Sequence, residues 1–75
     1  MNPQEIATLI ETAIPDARVT VQSADGRHFE ALVVSESFLD QPRLARHRLV
    51  YDALGNKMGN EIHALSLRTL TPDEA

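Results

Sequence analysis

Two histidines, His28 and His63, are the side chains of this 75-residue chain whose type and placement best suit ligand chemistry, because an imidazole nitrogen binds metals and hydrogen-bonds readily. His63 stands at the mouth of NEIHALSLRTLTPDEA, residues 60–75, where Ile62, Ala64, Leu65, Leu67 and Leu70 otherwise read as a buried strand. His28 follows the turn signal Asp25-Gly26 at the start of another apolar run. Taken singly, each also reads as an ordinary residue, His63 satisfied by a backbone carbonyl at a strand edge and His28 solvated in a loop. There is no cysteine, so the chain offers no thiolate to a metal and no disulfide to a secreted framework. A third group, Arg43, Arg46, His47 and Arg48, gathers three of the seven basic residues into six positions. Such a cluster contacts phosphates or an acidic partner, or is a solvated helix face with i, i+4 pairs such as Arg48 with Asp52. Catalysis finds no footing. The chain has no cysteine nucleophile, no Gly-rich phosphate loop and no HExxH, and its carboxylates fall where helix caps and turns explain them. Ser35 and Ser37 lack an ordered base and read as turn-forming or capping residues.

At 8.3 kDa the chain has room for one small domain, a size at which a single core supplies only about 3 to 5 kcal/mol of net stability. With seven basic and eleven acidic residues, net charge −4 and pI about 5.1, its overall field repels nucleic acid and membrane phosphates. Any contact with nucleic acid must rest on a local patch. No apolar run approaches a membrane span, and MNPQEIATLI lacks the basic start and apolar centre of a signal peptide, so a cytoplasmic, monomeric protein without membrane contact is the expectation.

The elements that must position these residues follow from spacing. Asn2, Pro3 and Glu5 carry capping-box grammar, and Ile6, Leu9, Ile10 and Ala13 line one helical face that Pro15 ends at Ile14. Ala17, Val19 and Val21 alternate with polar residues as a half-buried strand, and a second strand runs from His28 to Ser35. To keep the apolar residues on one face, the hairpin needs an odd loop. Ala24-Asp25-Gly26 supplies one and pairs Val21 with Phe29 and Val19 with Ala31. A short turn is expected at Glu36 to Leu39. The main helix is predicted from Pro42 to Leu54, with Ala45, Leu49, Val50, Ala53 and Leu54 on its inner side and His47, Arg48 and Tyr51 on the other. GNKMGNE reads as a turn-rich connector, Glu61 to Leu70 as the third strand, and Thr71-Pro72-Asp73-Glu74 as a second capping box opening a last helical turn.

The fold class is therefore α+β, in the order helix, strand, strand, helix, helix, strand. A right-handed crossover through helices returns the third strand parallel to the second. His28 and His63 then start parallel strands and fall at the same end of the sheet, about 5 Å apart at the backbone if the strands are neighbours and about 10 Å if one intervenes.

In "VVSESF", "RHRLVYDAL" and "EIHALSLRTLTPDE" the chain resembles the BolA family of small proteins over nearly its whole length. The order of elements matches that family's fold, a three-stranded mixed sheet backed by helices and similar to the type II KH topology. "DGRHFEAL" further resembles the subgroup whose first hairpin loop supplies a histidine. Asp40 departs from the pattern, since many members carry glycine there; a differently shaped turn before the main helix is the expectation, and the residue adds a negative charge. The resemblance implies pairing with a monothiol glutaredoxin and a shared [2Fe-2S] cluster, in iron-sulfur trafficking or iron homeostasis. It also implies a second role, DNA-binding transcriptional regulation of stress and cell morphology. Clusters take thiolate ligands, and in Rieske-type centres two histidines replace two cysteines on one iron. This chain has imidazoles only. It would hold no cluster alone, but resemblance makes His63 a ligand and His28 the second, beside thiolates from the partner and glutathione. DNA recognition through Arg43, Arg46, His47 and Arg48 has less behind it, because Phe38-Leu39-Asp40-Gln41 is a poor phosphate cradle and no aromatic interleaving accompanies the patch.

Overall fold

Asn2 starts the first helix with reciprocal bonds. Its side chain accepts from the Glu5 backbone N–H at 2.9 Å, while the Glu5 carboxylate accepts from the Asn2 N–H at 3.2 Å. The computed structural model describes residues 1–75. Helix α1 spans Pro3–Ala13, strands β1 and β2 span Arg18–Gln22 and His28–Val34, helix α2 spans Arg43–Leu54, and strand β3 spans Ala64–Leu70. Of the two helices expected in a row, the shorter is a 3-10 turn at Glu36–Phe38; a second such turn follows α2 at Gly55–Lys57.

The sheet order is β1-β2-β3, with β1 and β2 antiparallel and β2 and β3 parallel. Alternation sends Phe29, Val33, Val19, Val21, Leu65 and Leu67 to one face, where Ile6, Ile10 and Ile14 from the α1 side meet Val50 and Leu54 of α2. Phe38 and Ile62 close the ends of this core and are fully buried. Each such side chain stabilises the fold by about 1.5 to 3 kcal/mol relative to exposure. The other face, with Thr20, Glu30, Ser66 and Arg68, stays open to solvent.

Four features differ from expectation, each for a local reason. Val21 pairs with Ala31 and Val19 with Val33, two residues beyond the expected partners. Asp25 Oδ1 accepts from the N–H groups of Arg27 and His28, both at 2.9 Å, and Ser23 Oγ accepts from Gly26 N–H while donating to the His28 carbonyl. These side-chain bonds carry the loop past Gly26, whose φ of +76° is the left-handed value expected there. A two-residue slip preserves parity, so the apolar face survives. Strand β3 begins at Ala64 rather than Glu61, because the N–H groups of Glu61 and Ile62 both turn back to the Lys57 carbonyl. Helix α2 begins at Arg43, with extended Pro42 as its cap; the Pro42 carbonyl takes the first helical bond, from Arg46 N–H. Leu49 is 41% exposed, since the inner face of α2 runs through Arg46, Val50 and Leu54 instead.

Asp40 has φ of +61°, the one non-glycine residue in the left-handed region. The turn thus keeps the shape that glycine favours, and the departure from the family pattern changes its cost rather than its path. Asp40→Ala is expected to lower stability by about 1 kcal/mol, because alanine lacks aspartate's tolerance of that region, while Asp40→Gly stays neutral or stabilises by up to about 1 kcal/mol. Urea unfolding followed by circular dichroism reads both, and equal losses for the two variants contradict the assignment.

Candidate functional site

Parallel pairing sets His28 level with Ala64, and therefore Arg27 level with His63, at one end of neighbouring strands. Both imidazoles are exposed. Asp25, after fixing the loop with one carboxylate oxygen, uses the other on the His28 ring, with Oδ2 at 2.8 Å from Nδ1. The His28 backbone N–H, its ring and the Arg27 N–H hold this carboxyl well below the usual carboxylate range, so Asp25 is an anion. An anionic acceptor places the ring proton on Nδ1 and leaves Nε2 of His28 free, the arrangement that second-shell carboxylates give metal-binding histidines. His63 lies in the bend before β3, with Nε2 3.4 Å from Arg27 Nη2. A cleft on the open sheet face continues from here, lined by Ser23, Asp25, His28, Glu30 and Ser66.

The donor set decides what this end of the sheet can hold. No group of three or more His, Asp or Glu side chains converges anywhere in the molecule. Two imidazoles at one end of neighbouring strands offer at most nitrogen ligands to a mixed-ligand cluster, whose thiolates would come from elsewhere.

The structure divides the basic patch. Arg46 is committed to the fold: its Nε donates to the Gln41 carbonyl at 2.8 Å, and Nη1 donates to the Thr69 carbonyl at 3.3 Å and to Glu74 Oε1 at 2.7 Å. Its guanidinium also lies over the Phe38 ring, 5.9 Å from the centroid. His47 sits edge-on to Tyr51 at 6.3 Å, and burial, with Arg43 nearby, pushes its imidazole below the ordinary value of 6.5, so it is neutral at pH 7. The patch's charge therefore reduces to exposed Arg43 and Arg48. No ion pair joins Arg48 to Asp52; the three salt bridges are Asp25–His28, Arg46–Glu74 and Lys57–Glu61. Around the two arginines, Leu39 and Leu44 are 60% and 65% exposed.

Sequence reasoning missed three participants. Asp25 stands three residues before His28, the spacing of a side-chain-capped turn, and that signal was available in the sequence. Arg27 as a neighbour of His63 needed the register. Asp16 needed the whole fold: it accepts from Ser35 Oγ at 2.7 Å and Glu36 N–H at 2.8 Å, 19 and 20 residues away, and these bonds lower its carboxyl despite some burial.

Comparison with known proteins follows the same outline. The family model described as "BolA-like protein" matches residues 4–74. A DNA-binding transcriptional regulator BolA of Vibrio cholerae is 47% identical over 47 residues, covering 63% of this chain and 44% of that protein, so the chain spans under half of that regulator's length. A bolA homologue structure from Coxiella burnetii superposes with TM-score 0.87 at 49% identity, over 99% of this chain and 95% of the other. The BolA domain of SufE1 from Arabidopsis thaliana gives TM-score 0.85 at 27% identity, over 97% and 94%.

Arg46 and Glu74 also set an expectation for acid. Glu74 accepts from Arg46 and from the Thr71 N–H, which together hold its carboxyl at about 2, against an ordinary value of 4.5. A depressed folded-state value means that the contribution is complete above about 4.5 and is lost as pH falls through about 2. Unfolding midpoints measured from pH 7 downward should fall in that window for the wild type, and Glu74→Gln should flatten the fall. Arg46→Ala should cost on the order of 2 kcal/mol at neutral pH, while Arg43→Ala and Arg48→Ala stay within about 0.5 kcal/mol.

Proposed function

The chain belongs to the BolA-like family, and from that premise we propose that it is an adaptor that binds a monothiol glutaredoxin and lends His63, with His28 as second ligand, to a shared [2Fe-2S] cluster in iron-sulfur trafficking or iron homeostasis. The observation that supports this reading is the parallel β2–β3 pairing, which brings the strand starts that bear His28 and His63 to one end of the sheet, with no cluster of three ligands from this chain. Asp25 gives His28 a single available nitrogen, so less orientational freedom is lost when that nitrogen is engaged. The rigid β3 strand carries His63 at its mouth, held by half-buried Leu65 and Leu67 beneath. When bound, the cluster supplies iron sites that accept nitrogen ligands alongside thiolates. The chain's part is to bind and orient. No side-chain arrangement supports catalysis, and we assign it no enzymatic role.

Mixing the protein with a cluster-loaded monothiol glutaredoxin should change the visible absorption and circular dichroism, with His63→Ala abolishing most of the change and His28→Ala part of it. A spectrum indifferent to both substitutions removes the adaptor reading.

A second reading is DNA-binding regulation, favoured by the name of the Vibrio cholerae relative. Here Arg43 and Arg48 would carry the phosphate contacts, with His47 neutral beside them and Arg46 acting from behind through the fold. Two contacts imply a shallow salt dependence, with a slope of log affinity on log salt of roughly −2. Titration of duplex DNA between about 50 and 200 mM salt, where tight binders lose several orders of magnitude, should show that slope, and Arg43→Ala and Arg48→Ala should each reduce it by about one. Affinity that ignores both substitutions rules out this surface.

A further inference from the structure

Arg27 is the side chain whose position the ligand site does not require. It is exposed, forms no ion pair, and its guanidinium has one side-chain partner, His63 Nε2 at 3.4 Å. Parallel register puts residue 27 beside residue 63, and Asp25 Oδ1 holds the Arg27 backbone at the turn. A guanidinium has donors only, so the nitrogen it touches must carry the lone pair and the ring proton must sit on Nδ1. That lone pair is the one a metal would take.

We propose that Arg27 is a displaceable cap on His63 Nε2, a positioning residue that holds the imidazole in its Nδ1–H form, disfavours bare cations and admits anionic, thiolate-ligated metal. The inference rests on the ligand role given to His63 above. Two features support displacement. The distance is at the long end for a hydrogen bond, and the guanidinium is solvated, so breaking the contact costs little. A bare divalent cation approaching Nε2 must both displace the donor and face its positive charge. A cluster bearing thiolates, and glutathione with its carboxylates, instead offers the released guanidinium a partner. In the exchange one N–H···N contact breaks, the imidazole nitrogen replaces a water on Zn2+ or a thiolate on the cluster iron, that ligand leaves, and no proton leaves the ring. His28 carries no such cap. Its Nδ1 faces the Asp25 carboxylate, and the two imidazoles therefore differ in what they admit.

The test compares wild type, Arg27→Gln and Arg27→Lys, with His63→Ala as the control for the site. Long-range proton–nitrogen spectra at about pH 8, where imidazoles are neutral, should show His63 fixed as the Nδ1–H tautomer in the wild type and mixed in Arg27→Gln. Zn2+ alone, titrated while the His63 signals are followed, should bind about fivefold more tightly to Arg27→Gln, the effect of removing one nearby exposed charge, and as in wild type to Arg27→Lys. The glutaredoxin-bound cluster should respond in the opposite sense, with about fivefold weaker association for Arg27→Gln. A residue that merely shaped the loop would move both probes in one direction. An unchanged tautomer, or Zn2+ affinity that is equal or lower in Arg27→Gln, overturns the cap. Should the wild type leave the loaded glutaredoxin's spectrum unchanged, the adaptor reading falls, and the tautomer and Zn2+ results still decide whether Arg27 caps His63.

Discussion

Parallel pairing of β2 with β3 is the constraint from which the rest of the molecule follows. Parallel neighbours cannot be joined by a tight turn, so the chain between Val34 and Ala64 must cross the sheet, and it does so through α2. That crossover supplies Val50 and Leu54 to the core and gives α1 a helix to pack against. It also brings the two strand starts, and with them His28, Arg27 and His63, to one end. A hairpin between β2 and β3 would have placed the histidines at opposite ends. The candidate site is in this sense a product of topology more than of any local motif.

A crossover in a chain of this size, with no disulfide, must be tied down by other means. Two polar hubs do this at the end of the sheet away from the histidines. Asp16, in the turn after α1, gathers Ser35 and the Glu36 N–H, and the Ser35 N–H donates to the Leu70 carbonyl, so the exit of β2 is tied to both β1's approach and the end of β3. Arg46 reaches from α2 to the Thr69 carbonyl and to Glu74, which in turn closes the Thr71 turn. No buried side-chain polar atom is left without a partner. Each hub includes a charged group aimed at backbone groups that would otherwise be orphaned, which makes them more costly to lose than an exposed ion pair.

Much of this was legible before any coordinates. Capping grammar located α1, alternation located β1 and β2, and the parallel crossover followed from element order. What escaped has a common physical character. Hairpin register was misjudged because Ser23 and Asp25 could extend the loop by side-chain bonds, and parity arguments cannot distinguish registers that differ by two. The inner face of α2 was misjudged because an apolar count favours Leu49 over Arg46, whereas a guanidinium with three backbone and carboxylate acceptors and an aromatic ring beneath it can be held at an interface. The sequence marked Arg46 as one of a basic cluster, and only the fold separates the arginine that holds α2 from the two that face solvent. Asp40 is the converse case: the residue type suggested an altered turn, yet the backbone adopts the left-handed conformation anyway.

The same separation bears on how one small acidic protein can resemble both a regulator and an adaptor. Subtracting Arg46 and neutral His47 from the cluster leaves two free charges beside exposed Leu39 and Leu44, a surface with more apolar area than a phosphate-tracking face requires. Against a net charge of −4, two arginines make a weak electrostatic footprint for a polyanion. At the histidine end the balance is different, because Asp25 and Arg27 place one anion and one cation beside the two imidazole rings within a few residues. On the proposed reading, specificity there depends on which nitrogen is free and which is covered. That is a local arrangement of donors and lone pairs, and the overall charge of the chain does not weaken it.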